Sequence, residues 1–199
     1  MAIIYLVRHG ETEWNAAGRF MGGQSDVPLN ERGRLQAAAL APKLAQEVSE
    51  WGRVISSDLC RARETRDIVL AGADYAVTED ARFREIYGGR LEGLTREEQQ
   101  VQFPDWWRQS RQESSDGVRF PEGESFEDLR RRVVAAIEES WPSSEGPMLV
   151  VTHGGVIQAV LADILNLSRE YRDRIRVDNC SVTAVRWEAD QRVILRVNA

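Results

Sequence analysis

Short apolar runs alternate with longer stretches of helical period along this chain. The runs "IIYLVRH", "RVISS", "YAVTE" and "MLVVTH" have strand character, and longer helix-like stretches separate the first three. This alternation predicts an α/β fold of three layers, α, β and α, with a mostly parallel central sheet. Thr12 to Ala17 reads as a short helix. In "NERGRLQAAALAPKLAQEV", Asn30 is an N-cap and Leu35, Ala38, Ala39 and Leu44 form an apolar stripe. Pro42 predicts a kink or break there. "SDLCRARETRDIVLAG" reads as a helix with Ser57 near its N-cap and Gly72 past its end. In "SFEDLRRRVVAAIEES", Ser125 and Asp128 have capping-box spacing. "GGVIQAVLADILNL" predicts a further helix, and "SVTAVRWEADQRVILRVN" a C-terminal β-hairpin turning at Ala189-Asp190-Gln191.

Thr95 to Glu124 breaks the alternation. It is polar yet carries Phe103, Trp106, Trp107 and Phe120, so it is too long for a connection and too aromatic for a disordered one. The expectation is a partly helical insertion over one end of the sheet, and over the active site, within a single domain spanning residues 1–199.

Composition narrows the partners. The 199 residues are 42% hydrophobic and 29% charged, with a net charge of -6, so overall electrostatics do not favour nucleic acid. No apolar run approaches the roughly 18 residues of a membrane span, and no secretory signal is evident. Cys60 and Cys180 lack metal-type spacing and read as buried free thiols, which points to the cytoplasm. No metal or other cofactor is expected, because neither histidine has acidic neighbours at ligand spacing. A homodimer is compatible with these features.

The chemistry concentrates at strand ends. The chain has two histidines, His9 and His153, and each ends an apolar run and precedes glycine. Ser56 and Ser57 occupy a similar position, with Arg61 one turn further on. In open α/β sheets ligands bind beyond the carboxyl ends of strands, where the N–H groups and positive dipole ends of helices suit an anion. Gly10, Gly154 and Gly155 would let backbone approach it, and Arg8 and Arg61 would fork onto phosphate oxygens. Nearby arginines disfavour imidazolium, which keeps a histidine available as a nucleophile toward phosphorus.

"LVRHGETEWN" resembles the signature of the histidine phosphatase, or phosphoglycerate mutase-like, superfamily. "GRFMGGQSDVPLNERGRLQA", "SSDLCRARET", "REIYGGRLEGLT", "PEGES" and "VVTHGG" resemble its further blocks, in order, over nearly the whole chain. The resemblance implies that His9 is the nucleophile and becomes phosphohistidine. Arg8, Arg61 and His153 would hold the phosphoryl oxygens and Asn15 would add a contact, beside the substrate-binding backbone already expected at Gly154. Glu85 would be the general acid, a role that its own surroundings in the sequence do not suggest. Two departures stand out: Gly23-Gln24 where many members carry tryptophan, and Leu91 where an aromatic is usual.

The leading expectation is a metal-independent phosphatase acting on a small phosphorylated metabolite. The alternatives are a cofactor-dependent phosphoglycerate mutase and a non-catalytic binding or dimerisation module of the same fold. Phe103, Trp106, Trp107 and Phe120 would either wall the leaving group or pack the insertion down. Arg82, Arg84, Arg90 and Arg119 are candidates to meet a substrate carboxylate, or are ordinary surface charge.

Overall fold

The computed structural model describes residues 2–112, 115–167, 174–188 and 191–199. Six strands form one sheet in the order β3-β2-β4-β1-β5-β6: β1 (Ala2–Arg8), β2 (Arg53–Ser56), β3 (Val77–Glu79), β4 (Met148–Thr152), β5 (Val182–Trp187) and β6 (Arg192–Arg196). The first four are mutually parallel, and the antiparallel β5–β6 pair extends the sheet beside β1. The predicted hairpin is therefore present; Ala189 and Asp190 of its turn lie outside the described residues.

Period-two alternation sorts side chains onto two faces. Ile4 and Leu6 of β1, Ile55 of β2 and Met148 and Val150 of β4 pack in one core with α6 (Phe126–Ser140) and α7 (Gly154–Leu165). Tyr5, Val7, Val54, Leu149 and Val151 face the other core, built with α2 (Glu31–Glu47) and α3 (Cys60–Leu70). Two helical layers enclose the sheet, as the pattern predicts.

Several local expectations need correction. The buried stripe of α2 is Gly33, Ala37, Leu40 and Leu44, whereas Leu35 is 65% exposed and Ala38 and Ala39 are also exposed. The face is chosen by backbone contact. A Cβ on Gly33 would lie 2.1 Å from Glu11 O, and one on Gly10 would lie 2.5 Å from Gly33 O, so this glycine must face the loop after β1. The α2 helix is also unbroken through Pro42, its buried Leu40 and Leu44 anchoring it on both sides of the proline. The α3 helix begins three residues after Ser57. Asp26, from a remote loop, accepts from the Cys60 N–H at 2.7 Å and does the capping that Ser57 was expected to do. Asn30 caps α2, and Ser125 with Asp128 forms the capping box of α6 as expected.

The stretch after β3 contains α4 (Arg96–Gln102) and α5 (Pro104–Gln109). Arg19, shortly after α1 (Glu13–Ala16), bridges to Thr95 and donates to Gly93 O at 2.6 Å. Phe20 stacks on Phe120 with centroids 5.5 Å apart, and Trp106 packs on Phe120 at 5.0 Å. These aromatics hold the insertion to the segment that follows α1.

Candidate active site

Strand register assembles the site. Arg8 pairs with Thr152 across β1 and β4, so His9 and His153 emerge side by side, with ring centroids 5.1 Å apart. Ser56 pairs with Val151 across β2 and β4, which brings Ser57 beside His153; its Oγ lies 2.8 Å from His153 Nε2. Three neighbouring parallel strands thus deliver His9, His153 and Ser57 to one edge, and α7 starts there.

His9 is 2% exposed, and its Nδ1 is 2.7 Å from Gly10 O. A carbonyl can only accept, so Nδ1 carries the proton and Nε2 keeps its lone pair. The backbone around the ring is held firmly: Gly10 N–H donates to Thr65 Oγ1 at 3.0 Å, Glu11 N–H to Gln36 Oε1 at 2.9 Å, and Asn179 Nδ2 to His9 O at 3.0 Å.

Burial holds the His9 pKa well below the ordinary 6.5, with Arg61 and then Arg8 adding to the effect; the hydrogen bond to Gly10 opposes it. His153 is likewise held well below 6.5 by burial, then by Arg61, His9, Arg8 and Arg132. Both rings are neutral at neutral pH. In an NMR titration of the free protein, His9 is expected to remain unprotonated at pH 6.5 and to titrate below it. Titration at or above 6.5 would contradict the electrostatic picture. The linked stability has a definite sign. Between the unfolded and the depressed folded values the unfolded chain binds more protons, so stability is full above about pH 6.5 and is lost as pH falls.

Arg61 is fully buried, its Nη1 donating to Ser25 O at 2.6 Å and its Nη2 to Gly22 O at 3.1 Å. Burial lowers its pKa to about 10, which leaves it charged. Arg8 donates to Val177 O at 2.6 Å. Neither arginine has a carboxylate within ion-pair distance among the described residues. Glu85 is the carboxylate that acts most on both, at longer range. Arg8 Nε, Arg61 Nε and His153 Nδ1 are buried without a hydrogen-bond partner among those residues.

Glu85 sits across the start of α7. Its Oε1 accepts from Ile86 N–H at 2.7 Å and its Oε2 from Gly155 N–H at 2.9 Å. The Gly155 N–H expected to serve a ligand is therefore used by Glu85, and the Gly10 N–H by Thr65. A Cβ on Gly155 would lie 2.1 Å from Glu85 Oε1. Asn15 closes a capping box with Thr12, and its Oδ1 also accepts from Asn179 Nδ2 at 3.3 Å, which leaves its Nδ2 as a positioned donor. Gly154 lies against Arg8, 3.4 Å separating Arg8 Nε from where a Cβ would stand.

The site thus presents a buried imidazole with a free Nε2, a second neutral imidazole, two unpaired guanidinium groups and a carboxyl group at a helix start. Comparison with known proteins gives the family. Residues 4–199 match the histidine phosphatase superfamily, branch 1. The chain belongs to that superfamily. Within it, the chain is 39% identical over 197 residues to the probable phosphoglycerate mutase GpmB of Yersinia pestis, across 94% of this chain and 86% of that protein. The solved structure of YhfR from Bacillus stearothermophilus superposes with a TM-score of 0.87 at 30% identity, covering 98% of this chain and 96% of that one. A mycobacterial glucosyl-3-phosphoglycerate phosphatase, solved with VO3, gives 0.82 at 30% identity over the full length of both chains.

Superfamily membership spans phosphatases and mutases, so residues outside the common site matter. Arg82 pairs with Asp80 and Glu139, Arg84 with Asp58 and Arg119 with Asp128, which commits three of the four candidates for a substrate carboxylate; exposed Arg90 lies 3.9 Å from Glu122 and over the Phe103 ring. The two departures from the family pattern part company. Gly23-Gln24 lines a cavity beside Glu85, whereas Leu91 is fully buried in the core. Sequence reasoning missed Thr65, Gln36 and Asn179. Thr65 was within reach, since it lies one helical turn after Arg61 on the same face.

Proposed function

We propose that the protein is a metal-independent phosphatase of small phosphorylated metabolites that forms a phosphohistidine on His9. The observation that carries this reading is the pair of guanidinium groups, Arg61 buried and Arg8 partly so, that stand beside the free Nε2 of His9 with no carboxylate in ion-pair contact among the described residues. They suit a phosphoryl group, which would bring the missing negative charge. His9 Nε2 attacks phosphorus while the bond to the leaving oxygen breaks, and the Glu85 carboxyl gives that oxygen its proton. Water, deprotonated by Glu85, then attacks the phosphohistidine, and phosphate leaves with His9 neutral again. Arg8, Arg61, His153 and Asn15 hold the phosphoryl oxygens throughout, with Gly154 as their backbone neighbour.

A mutase shares the first half of this cycle, and the likeness to a probable phosphoglycerate mutase favours testing it. A cavity of about 360 Å³ lies beside Glu85. Its arginines, Arg84 and Arg132, are both committed to carboxylates, which ill suits a second phosphate. Supplied with 3-phosphoglycerate and catalytic 2,3-bisphosphoglycerate, the protein is expected to release phosphate faster than it forms 2-phosphoglycerate. Isomerisation outpacing phosphate release by orders of magnitude would establish the mutase instead.

Activity is expected to survive EDTA. Among the described residues no group of three or more His, Cys, Asp or Glu is placed to hold a metal ion, and the arginines supply the charge such an ion would bring. Complete loss, restored by a divalent ion, would refute this. Among the same residues no helix is long and apolar enough to cross a membrane. Burial pushes the thiols of Cys60 and Cys180 up to about 12, and the free thiols fit the cytoplasm.

A further inference from the structure

Glu85 lies on a segment without regular secondary structure, yet the carbonyls of residues 82–87 all have partners. Phe83 O accepts from Thr152 Oγ1 at 2.7 Å, Ile86 O from Gly23 N–H at 2.9 Å and Tyr87 O from Glu124 N–H at 2.8 Å. The carbonyls of Arg82, Arg84 and Glu85 converge on one side chain from α6. Arg132 Nη1 donates to Arg82 O at 2.6 Å and Arg84 O at 2.9 Å, and its Nη2 donates to Glu85 O at 3.0 Å.

The rest of the guanidinium is equally committed. Its Nε donates to Glu124 Oε1 at 2.8 Å and its Nη2 also to Glu124 Oε2 at 2.9 Å, which leaves no N–H of the fork unused. Glu124 Oε2 in turn accepts from Tyr87 N–H at 2.9 Å. Arg132 and Glu124 therefore grip the backbone on both sides of Glu85. They touch neither its carboxyl group nor His9.

Resting on the reading of Glu85 as the general acid, we infer that Arg132 and Glu124 are positioning residues that set where the Glu85 carboxyl stands relative to the leaving oxygen. A proton donor must lie within about 2.6–3.2 Å of the oxygen it serves, and small displacements cost rate steeply. A rigid, planar, fully used fork can hold three carbonyls in one arrangement. A lysine has the same charge but a single nitrogen and cannot span them.

The consequence is selective. Losing the brace should impair reactions that need leaving-group protonation and spare those that do not, so Arg132→Gln should imitate Glu85→Gln. Arg132→Lys should resemble Arg132→Gln, because charge alone does not restore the geometry. Glu124→Gln, which keeps an acceptor oxygen but weakens the grip on Arg132, should show the same pattern to a smaller degree.

The experiment compares kcat/KM for alkyl phosphates and for p-nitrophenyl phosphate in the wild type, Arg132→Gln, Arg132→Lys, Glu124→Gln, Glu85→Gln and the double variant Arg132→Gln/Glu85→Gln. The expected result is a loss of about 10²-fold on alkyl phosphates for Arg132→Gln, and under about 10-fold on the aryl ester, within the range of acid catalysis. The double variant should be no slower than Glu85→Gln alone, since the brace has nothing left to position. Equal losses on both substrates, or multiplicative losses in the double variant, would overturn the inference and leave Arg132 a structural residue. Near-normal alkyl turnover in Arg132→Lys would also overturn it, in favour of a role for charge alone. If Glu85→Gln itself fails to discriminate between the substrates, the general-acid reading falls and this inference with it. If Glu85→Gln discriminates and Arg132→Gln does not, this inference alone fails.

Discussion

Replacing His9 with alanine is expected to lower phosphomonoester turnover by at least about 10⁴-fold, the scale of losses when a nucleophile is removed. His153, the nearest imidazole, has its Nε2 engaged with Ser57 Oγ and is expected to remain a phosphoryl ligand without restoring turnover. The cysteines are unsuited too, since burial pushes both thiols up to about 12. Substrate binding should persist, because Arg8, Arg61 and His153 remain and the smaller side chain removes no cation. Activity within about 10-fold of the wild type would remove His9 from the role. Retained binding with lost turnover, read by equilibrium binding of unreacted substrate, is the expected pair of results.

The Glu85→Gln variant should lose about 10²–10⁴-fold on alkyl phosphates and far less on p-nitrophenyl phosphate. An alkoxide leaves only if protonated, whereas a nitrophenolate leaves readily without help. Glutamine matches the shape of glutamate but keeps one acceptor oxygen, so it can serve the Gly155 or the Ile86 N–H and not both; the aryl ester, which needs little protonation, separates that cost from the loss of proton transfer. Comparable losses on both esters would assign Glu85 to binding or to the fold. A companion change displaces the same carboxyl group without altering its chemistry. In Gly155→Ala the new methyl would stand 2.1 Å from Glu85 Oε1, so the carboxyl must move, and the same selective loss on alkyl phosphates is expected.

What the sequence made legible follows from the range of the forces involved. Strand and helix identities rest on local periodicity, so the three layers, the capping box of α6 and the Asn30 cap could be read directly. Strand-terminal histidines before glycine pointed to the site because parallel strands deliver their ends to one edge. The α2 stripe was misread because helical periodicity among alanines leaves the phase open. The contact of Gly33 with Glu11, distant in sequence, selects the phase. The capping of α3 by Asp26 was hidden for the same reason, since its partner comes from another loop. Glu85 has no local signature. Its position is defined by Gly155 and by Arg132, 70 and 47 residues away, and only the family resemblance singled it out. Thr65, Gln36 and Asn179 hold the backbone around His9 through single long-range hydrogen bonds, which leave no periodic trace.

The most direct test of the account is to mix the protein with a phosphomonoester, quench within a turnover without acid, and locate the trapped phosphate by mass spectrometry and phosphorus NMR. Because His9 Nδ1 is held as a donor to Gly10 O, the account predicts phosphate on His9, bonded through Nε2, and its disappearance into water as free phosphate when substrate is exhausted. Phosphate on His153, phosphate on Nδ1 of His9, or turnover with no phosphohistidine at any time would contradict it.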